Sequence, residues 1–184
     1  MKMIKKYPNI TELIKDNPPV KEPLNWQVLF DKINKAKIKG YLTKEEFYKI
    51  CMWKSPRPKR HYLDNSEEIL KEISEKVLST NSEETKMELL TSLKGVSIPV
   101  ASSILTLLDP QDYGVIDIRV WQLLYNYGEV KTNPRGQMFN IENWKTYLNL
   151  LRKYANQFNM KVREIELILF LHHREAQEGN LYSV

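Results

Sequence analysis

Leu89-Leu90-Thr91-Ser92-Leu93-Lys94-Gly95-Val96-Ser97-Ile98-Pro99-Val100-Ala101, followed by Val115-Ile116-Asp117, is the stretch that organises this chain. Apolar residues ending at Leu93, a short turn through Gly95 and a new apolar run opening on Ile98-Pro99 predict helix, tight hairpin, helix. Asp117 then stands at the mouth of the next helix. A hairpin between two short helices turns several backbone N–H groups outward at one point, and the second helix adds its positive N-terminal end. A phosphate sits at such a place without any side-chain charge. Gly95 supplies the close approach and the backbone angles that a side chain would obstruct. Such a grip fixes position along a duplex and reads no sequence.

Working outward, apolar residues recur every three or four positions and strand-like alternation is weak, so the fold class is all-α. Residues 1–24 hold Pro8, Pro18, Pro19 and Pro23 and read as an N-terminal arm; residues 25–184 read as one helical domain, with the helix-hairpin-helix at about 85–108. A first helix is predicted near Asn25–Lys39, stopping at Gly40. Thr43 with Glu46 forms the capping box of a second, which carries Phe47, Ile50 and Cys51 and ends near Trp53. Pro56 and Pro58 break the chain into a loop. Asn65 with Glu68 opens a third helix and Asn81 with Glu84 a fourth, which Gly95 ends. Pro99 suits the first turn of the fifth, where its missing N–H is no loss. Asp117 starts the sixth, 128–140 is a loop, and two helices follow over about 141–159 and 162–176, with frayed last residues.

The 184 residues suffice for one well-packed domain, and 42% hydrophobic with 28% charged residues excludes global disorder. The net charge of +5 is a mild bias toward polyanions. A lone cysteine, Cys51, excludes an intramolecular disulfide and any cysteine-rich zinc or iron–sulfur site. His172 and His173 are adjacent, so on a helix they diverge by about 100° and make a poor metal pair; no metal or cofactor is expected. The N-terminus lacks an apolar core of signal-peptide length and no window reaches a membrane span. The expectation is a monomer inside the cell, cytoplasmic and associated with the nucleoid.

Leu93 to Ala101 resembles the helix-hairpin-helix of the HhH-GPD superfamily of DNA glycosylases, whose pattern is Leu-Pro-Gly-Val-Gly, two variable residues, then Thr-Ala. Gly95, Val96 and Ala101 agree with it, and Ile116-Asp117 fits the family's later Val-Asp or Leu-Asp step, 22 residues after Gly95. Val120 and Trp121 also look like family positions. The resemblance covers about residues 43–126 in order of elements and 85–121 in motif. It implies an all-α, glycosylase-like helical bundle acting on double-stranded DNA in base excision repair, with Asp117 catalytic and Lys94, Gly95, Val96 and Ser97 on the DNA strand. Ser97 replaces the second hairpin glycine and Lys94 the proline before Gly95. Pro99 stands where bifunctional members carry a nucleophilic lysine; proline forms no Schiff base, so the implied enzyme is monofunctional. Breaking an N-glycosidic bond builds positive character on the deoxyribose, and a carboxylate beside it stabilises the transition state more than the ground state. The other use of Asp117 is as a plain helix cap.

Residues 53–62 carry Lys54, Arg57, Lys59 and Arg60 with no acid among them, bracketed by Trp53 and Tyr62. Such a run supplies phosphate affinity and a place for a wedge, or else is a solvated surface loop. An extruded base needs stacking faces and a few polar groups; Trp53, Tyr62, Trp121, Tyr125 and His172 are the candidates, with Phe170 and His173 beside them. Two alternatives to the enzyme remain at this point: a DNA-binding protein on a glycosylase-like fold, and a helical interaction protein with an incidental hairpin.

Overall fold

A computed structural model describes residues 5–177, and the elements among them are ten helices: α1 Ile10–Asp16, α2 Leu24–Lys39, α3 Lys44–Lys54, α4 Lys59–Leu63, α5 Glu67–Ser79, α6 Glu83–Thr91, α7 Ile98–Leu108, α8 Ile118–Asn126, α9 Ile141–Phe158 and α10 Val162–Ala176. The chain is all-α. No helix among the described residues is long and apolar enough to cross a membrane. The fraying expected at the C-terminus concerns residues beyond 177 and lies outside the described residues. Where the sequence suggested one domain after an arm, the chain groups into two compact units: Glu22–Asp109, and residues up to 21 together with those from 110 onward.

In the unit Glu22–Asp109, α7 is the hub, with α2, α3 and α6 packed on it. Nearly every residue of α7 is buried, as expected of a helix apolar on all sides. Its three buried hydroxyls are satisfied within the helix: Ser102 donates to the Pro99 carbonyl (2.9 Å), Ser103 to Val100 (2.7 Å) and Thr106 to Ser102 (2.7 Å). The Lys37 ammonium donates to the Leu108 carbonyl at 2.9 Å, closing the negative end of α7. Gly40 ends α2 in the left-handed region at φ 86°, and Thr43 and Glu46 form the capping box of α3.

Two cap assignments differ from expectation. Ser66, not Asn65, caps α5 by accepting from the Ile69 N–H, and Ser82, not Asn81, caps α6 by accepting from Thr85. Each serine follows an asparagine, and the pairs Asn65-Ser66 and Asn81-Ser82 offer two cap residues in succession; the first turn of the helix selects the nearer one.

In the other unit, α8, α9 and α1 pack on α10. The segment read as an arm contains α1, capped by Asn9 and buried through Ile10, Leu13 and Ile14. The i, i+3, i+4 spacing of those three residues is an amphipathic stripe set between prolines. The segment 109–117 runs between α7 and α8 without secondary structure of its own. It is pinned by the start of α10, whose Val162 and Arg163 N–H groups donate to the Gln111 (3.1 Å) and Pro110 (3.2 Å) carbonyls. Two of the donors that a helix N-terminus leaves without an intrahelical partner are thereby used.

Candidate functional site

In the hairpin, α6 ends at Thr91 and the Leu93 carbonyl accepts from the Val96 N–H at 3.1 Å, closing a tight turn before α7. Gly95 sits inside it at φ 83°, where an L-residue is strained. A Cβ there would lie 2.9 Å from the His61 Cβ and 3.0 Å from Tyr62 Cδ1, so α4 is packed directly against the turn. Asn65, 4% exposed, ties the two together. Its Oδ1 accepts from the Lys94 N–H (2.9 Å) and its Nδ2 donates to the Lys94 (3.1 Å), Tyr62 (3.1 Å) and His61 (3.2 Å) carbonyls. Lys94 and Ser97 are exposed at the turn while Val96 is buried beneath it. Ser97 is the N-cap residue of α7 without a side-chain cap bond, so its hydroxyl does not answer the helix's positive end.

The basic run is only partly a loop. Trp53 and Lys54 close α3, Arg57 lies exposed between Pro56 and Pro58, and Lys59, Arg60, His61 and Tyr62 belong to α4. Pro58 stands in the residue before α4, where a missing N–H is harmless and its ring starts the turn. Tyr62 is fully buried, edge-on to Phe47, and its hydroxyl donates to the Ser55 carbonyl at 3.0 Å. Burial, with the neighbouring Cys51, pushes that phenol up to about 12. Tyr62 therefore supports the hairpin from below rather than offering an open stacking face. The packing brings two separate sequence signals, the hairpin and the exposed cations Lys59 and Arg60, onto adjoining segments of one unit.

Asp117 belongs to the other unit. It is half-buried and is the N-cap of α8, its Oδ1 accepting from the Arg119 N–H at 2.9 Å. Capping uses one of the several acceptor positions that a carboxylate has. Behind it, the fully buried Tyr147 of α9 donates from its hydroxyl to the Val115 carbonyl at 2.8 Å, and Arg163 and Glu166 of α10 form a buried ion pair. Burial, then the negative charges of Glu166 and Asp117, hold the Tyr147 phenol well above its usual range, so it remains a donor. Gly114 lets this segment pass close to α9 and α10: a Cβ there would sit 2.6 Å from Leu151 Cδ1.

His173 of α10 is 0% exposed, and neither ring nitrogen has a hydrogen-bond partner. Burial and the Arg119 cation lower it to about 4, against a smaller upward pull from Asp117, so the imidazole is neutral. Arg119 itself bonds Gln177 and lies over the Phe170 ring, 5.9 Å from its centroid. His172 is buried, with Nε2 unpartnered and its ring 5.4 Å from that of Tyr7. Trp121 is fully buried, and its Nε1 donates to the Asn133 carbonyl at 2.8 Å. Tyr125 and Trp53 are half-buried, Trp53 edge-on to Trp26. The five candidate pocket residues thus fall in two units: Trp53 and Tyr62 in one, Trp121, Tyr125 and His172 in the other.

No family model, no curated protein and no solved structure significantly matches this chain. The site is therefore carried by its own residues. Asn65 and Tyr147 are additions to the sequence-derived set, which already held His173 beside the pocket candidates. Asn65 was visible in the sequence only as a helix cap. Tyr147 carries no local signal, because its role depends on Val115, 32 residues away.

Proposed function

We propose that this chain is a DNA glycosylase of base excision repair, a monofunctional hydrolase that extrudes a damaged or mismatched base and cuts its N-glycosidic bond. In this reading the hairpin residues Lys94, Gly95, Val96 and Ser97, with Lys54, Arg57, Lys59 and Arg60, hold the phosphates of double-stranded DNA. Asp117 performs the chemistry. A water oxygen bonds to C1′ of the sugar as the C1′–N bond breaks with its electron pair leaving on the base, and the water's proton passes to the Asp117 carboxylate. The reaction as proposed uses no cofactor, and the protein acts as a monomer at the chromosome.

The observation that supports the enzymatic reading most is the condition of Asp117. It is half-exposed at the first turn of α8, on a segment fixed by Tyr147 and by the α10 amides, near the buried His173, neither of whose ring nitrogens has a hydrogen-bond partner. A residue needed only as a cap requires none of that apparatus. The bond from the Arg119 N–H to Asp117 favours the second reading, a DNA-binding protein of glycosylase-like architecture in which that carboxylate does nothing but cap. Duplexes carrying oxidised purines, alkylated purines, uracil or mismatched thymine, treated with the protein and then with hot alkali, separate the two. Strand scission at a lesion supports the enzyme. Salt-sensitive binding with no scission on any duplex establishes the binder.

A further inference from the structure

Helix α2 carries apolar side chains on its outer side as well as its inner one. Trp26, Leu29, Ile33 and Ala36 are buried in the core. Leu24, Val28 and Ile38 face solvent, 75%, 49% and 88% exposed. One exposed apolar residue needs no explanation. These three share a spacing: with Asp31 and Lys35, both exposed, they occupy positions 24, 28, 31, 35 and 38. Steps of four, three, four and three mark a single narrow stripe, the kind that a second helix covers.

The charges within the stripe decide what that second helix is. No ion pair joins Asp31 or Lys35 to another described residue. Two other cations of α2 are answered within the chain: Lys37 donates to the Leu108 carbonyl, and Lys39 pairs with Glu46 at 2.6 Å. From residue 28 to residue 38 the stripe runs Val28, Asp31, Lys35, Ile38, placed symmetrically about the level of residue 33. A two-fold axis at that level sets an antiparallel copy so that Val28 meets Ile38 and Asp31 meets Lys35, each contact made twice. Sliding the copy to bring Leu24 onto Ile38 would stack Asp31 on Asp31, so the charges select one register. A membrane surface is the poorer match. Val28 and Ile38 stand about 15 Å apart along the helix, with an acid between them.

We propose that the outer face of α2 is a self-association surface, through which two copies of this chain pair as antiparallel helices. The face belongs to the unit that lacks Asp117. Each chain keeps its own carboxylate, so one copy still serves one lesion; the pairing is between free chains and does not rest on the glycosylase reading. Contact along one short helix falls below the standard interface size, so the association is weak and reversible. Sedimentation equilibrium of the full chain from about 1 μM to about 1 mM should show monomer passing to dimer. Asp31→Lys and Lys35→Asp each put like charges in both central layers and should weaken the dimer more than about tenfold. An equimolar mixture of the two variants should re-form it, because opposite charges then face each other in both layers. Both positions are exposed, so the variants fold, and equal urea midpoints show that they do. A wild-type chain that stays monomeric throughout, single variants that pair as well as the wild type, or a mixture no better than its components overturns the proposal. A monomeric wild-type chain that cosediments with anionic phospholipid vesicles also overturns it, and gives the stripe to a membrane surface.

Discussion

Replacing Asn65 by alanine is the sharpest structural test of how the hairpin is held. Asn65 accepts one hydrogen bond from the Lys94 N–H and spreads its two amide hydrogens over the Lys94, Tyr62 and His61 carbonyls, at 2.9–3.2 Å, with only 4% of its surface exposed. Its two hydrogens limit the donated bonds to two full equivalents, so about three bonds are lost; at roughly 1 kcal/mol each, Asn65→Ala costs about 3 kcal/mol. For a chain of this size that corresponds to a Tm drop on the order of 6–12 °C. Asn81→Ala is the matched control. The sequence gives Asn81 the same capping role, but it is exposed and Ser82 caps α6 in its place, so the change should stay within about 0.5 kcal/mol. Urea unfolding gives both values, and amide exchange at Lys94 reports the site directly: its protection should fall in Asn65→Ala alone. Duplex affinity should weaken in the same variant. If Asn65→Ala unfolds like the wild type, or the two asparagine variants lose equal stability, the hairpin is not held in this way.

Gly95→Ala combines left-handed strain with a Cβ 2.9 Å from His61 and 3.0 Å from Tyr62, and should cost about 2–4 kcal/mol by urea unfolding. Gly40→Ala, at φ 86° in open space, isolates the strain alone at about 1–2 kcal/mol. His173 gives an acid sensitivity. Its ring is held down to about 4 when folded and returns to about 6.5 when unfolded, so between those values the unfolded chain takes up a proton that the folded chain refuses. That contribution is fully present above pH 6.5 and falls by up to about 3 kcal/mol as pH drops toward 4. His172, lowered by burial and by Lys6, acts in the same direction. His173→Gln should flatten the decline in an unfolding-versus-pH series. Lys59→Ala with Arg60→Ala should weaken duplex binding and reduce the slope of log affinity against log salt by about 2, measured by fluorescence anisotropy.

Local chemistry made most of the helices legible. The Thr43–Glu46 capping box, the stop at Gly40, the opening at Pro99 and the cap at Asp117 each depend on residues within one turn, and each is where the sequence places it. Two features were hidden because competing local signals overlapped. The prolines around α1 masked its apolar stripe, and the basic run masked α4, a single turn whose reason for folding is the burial of Tyr62 beneath Gly95. The candidate site was legible only in part. Asp117 and the hairpin announce themselves by motif, whereas the supports at Asn65, Tyr147 and His173 are made by tertiary packing between distant segments. The division at Asp109–Pro110 likewise leaves no mark beyond a proline.

Single-turnover base release by the wild-type chain and by Asp117→Asn, on whichever lesion duplex the alkali screen selects, tests the central claim most directly. Asparagine keeps the size and the acceptor oxygen that caps α8 and removes the charge. The account predicts that release is lost while binding to an abasic duplex is kept. Release at the wild-type rate from Asp117→Asn would contradict it, because the carboxylate would then be a helix cap and nothing more.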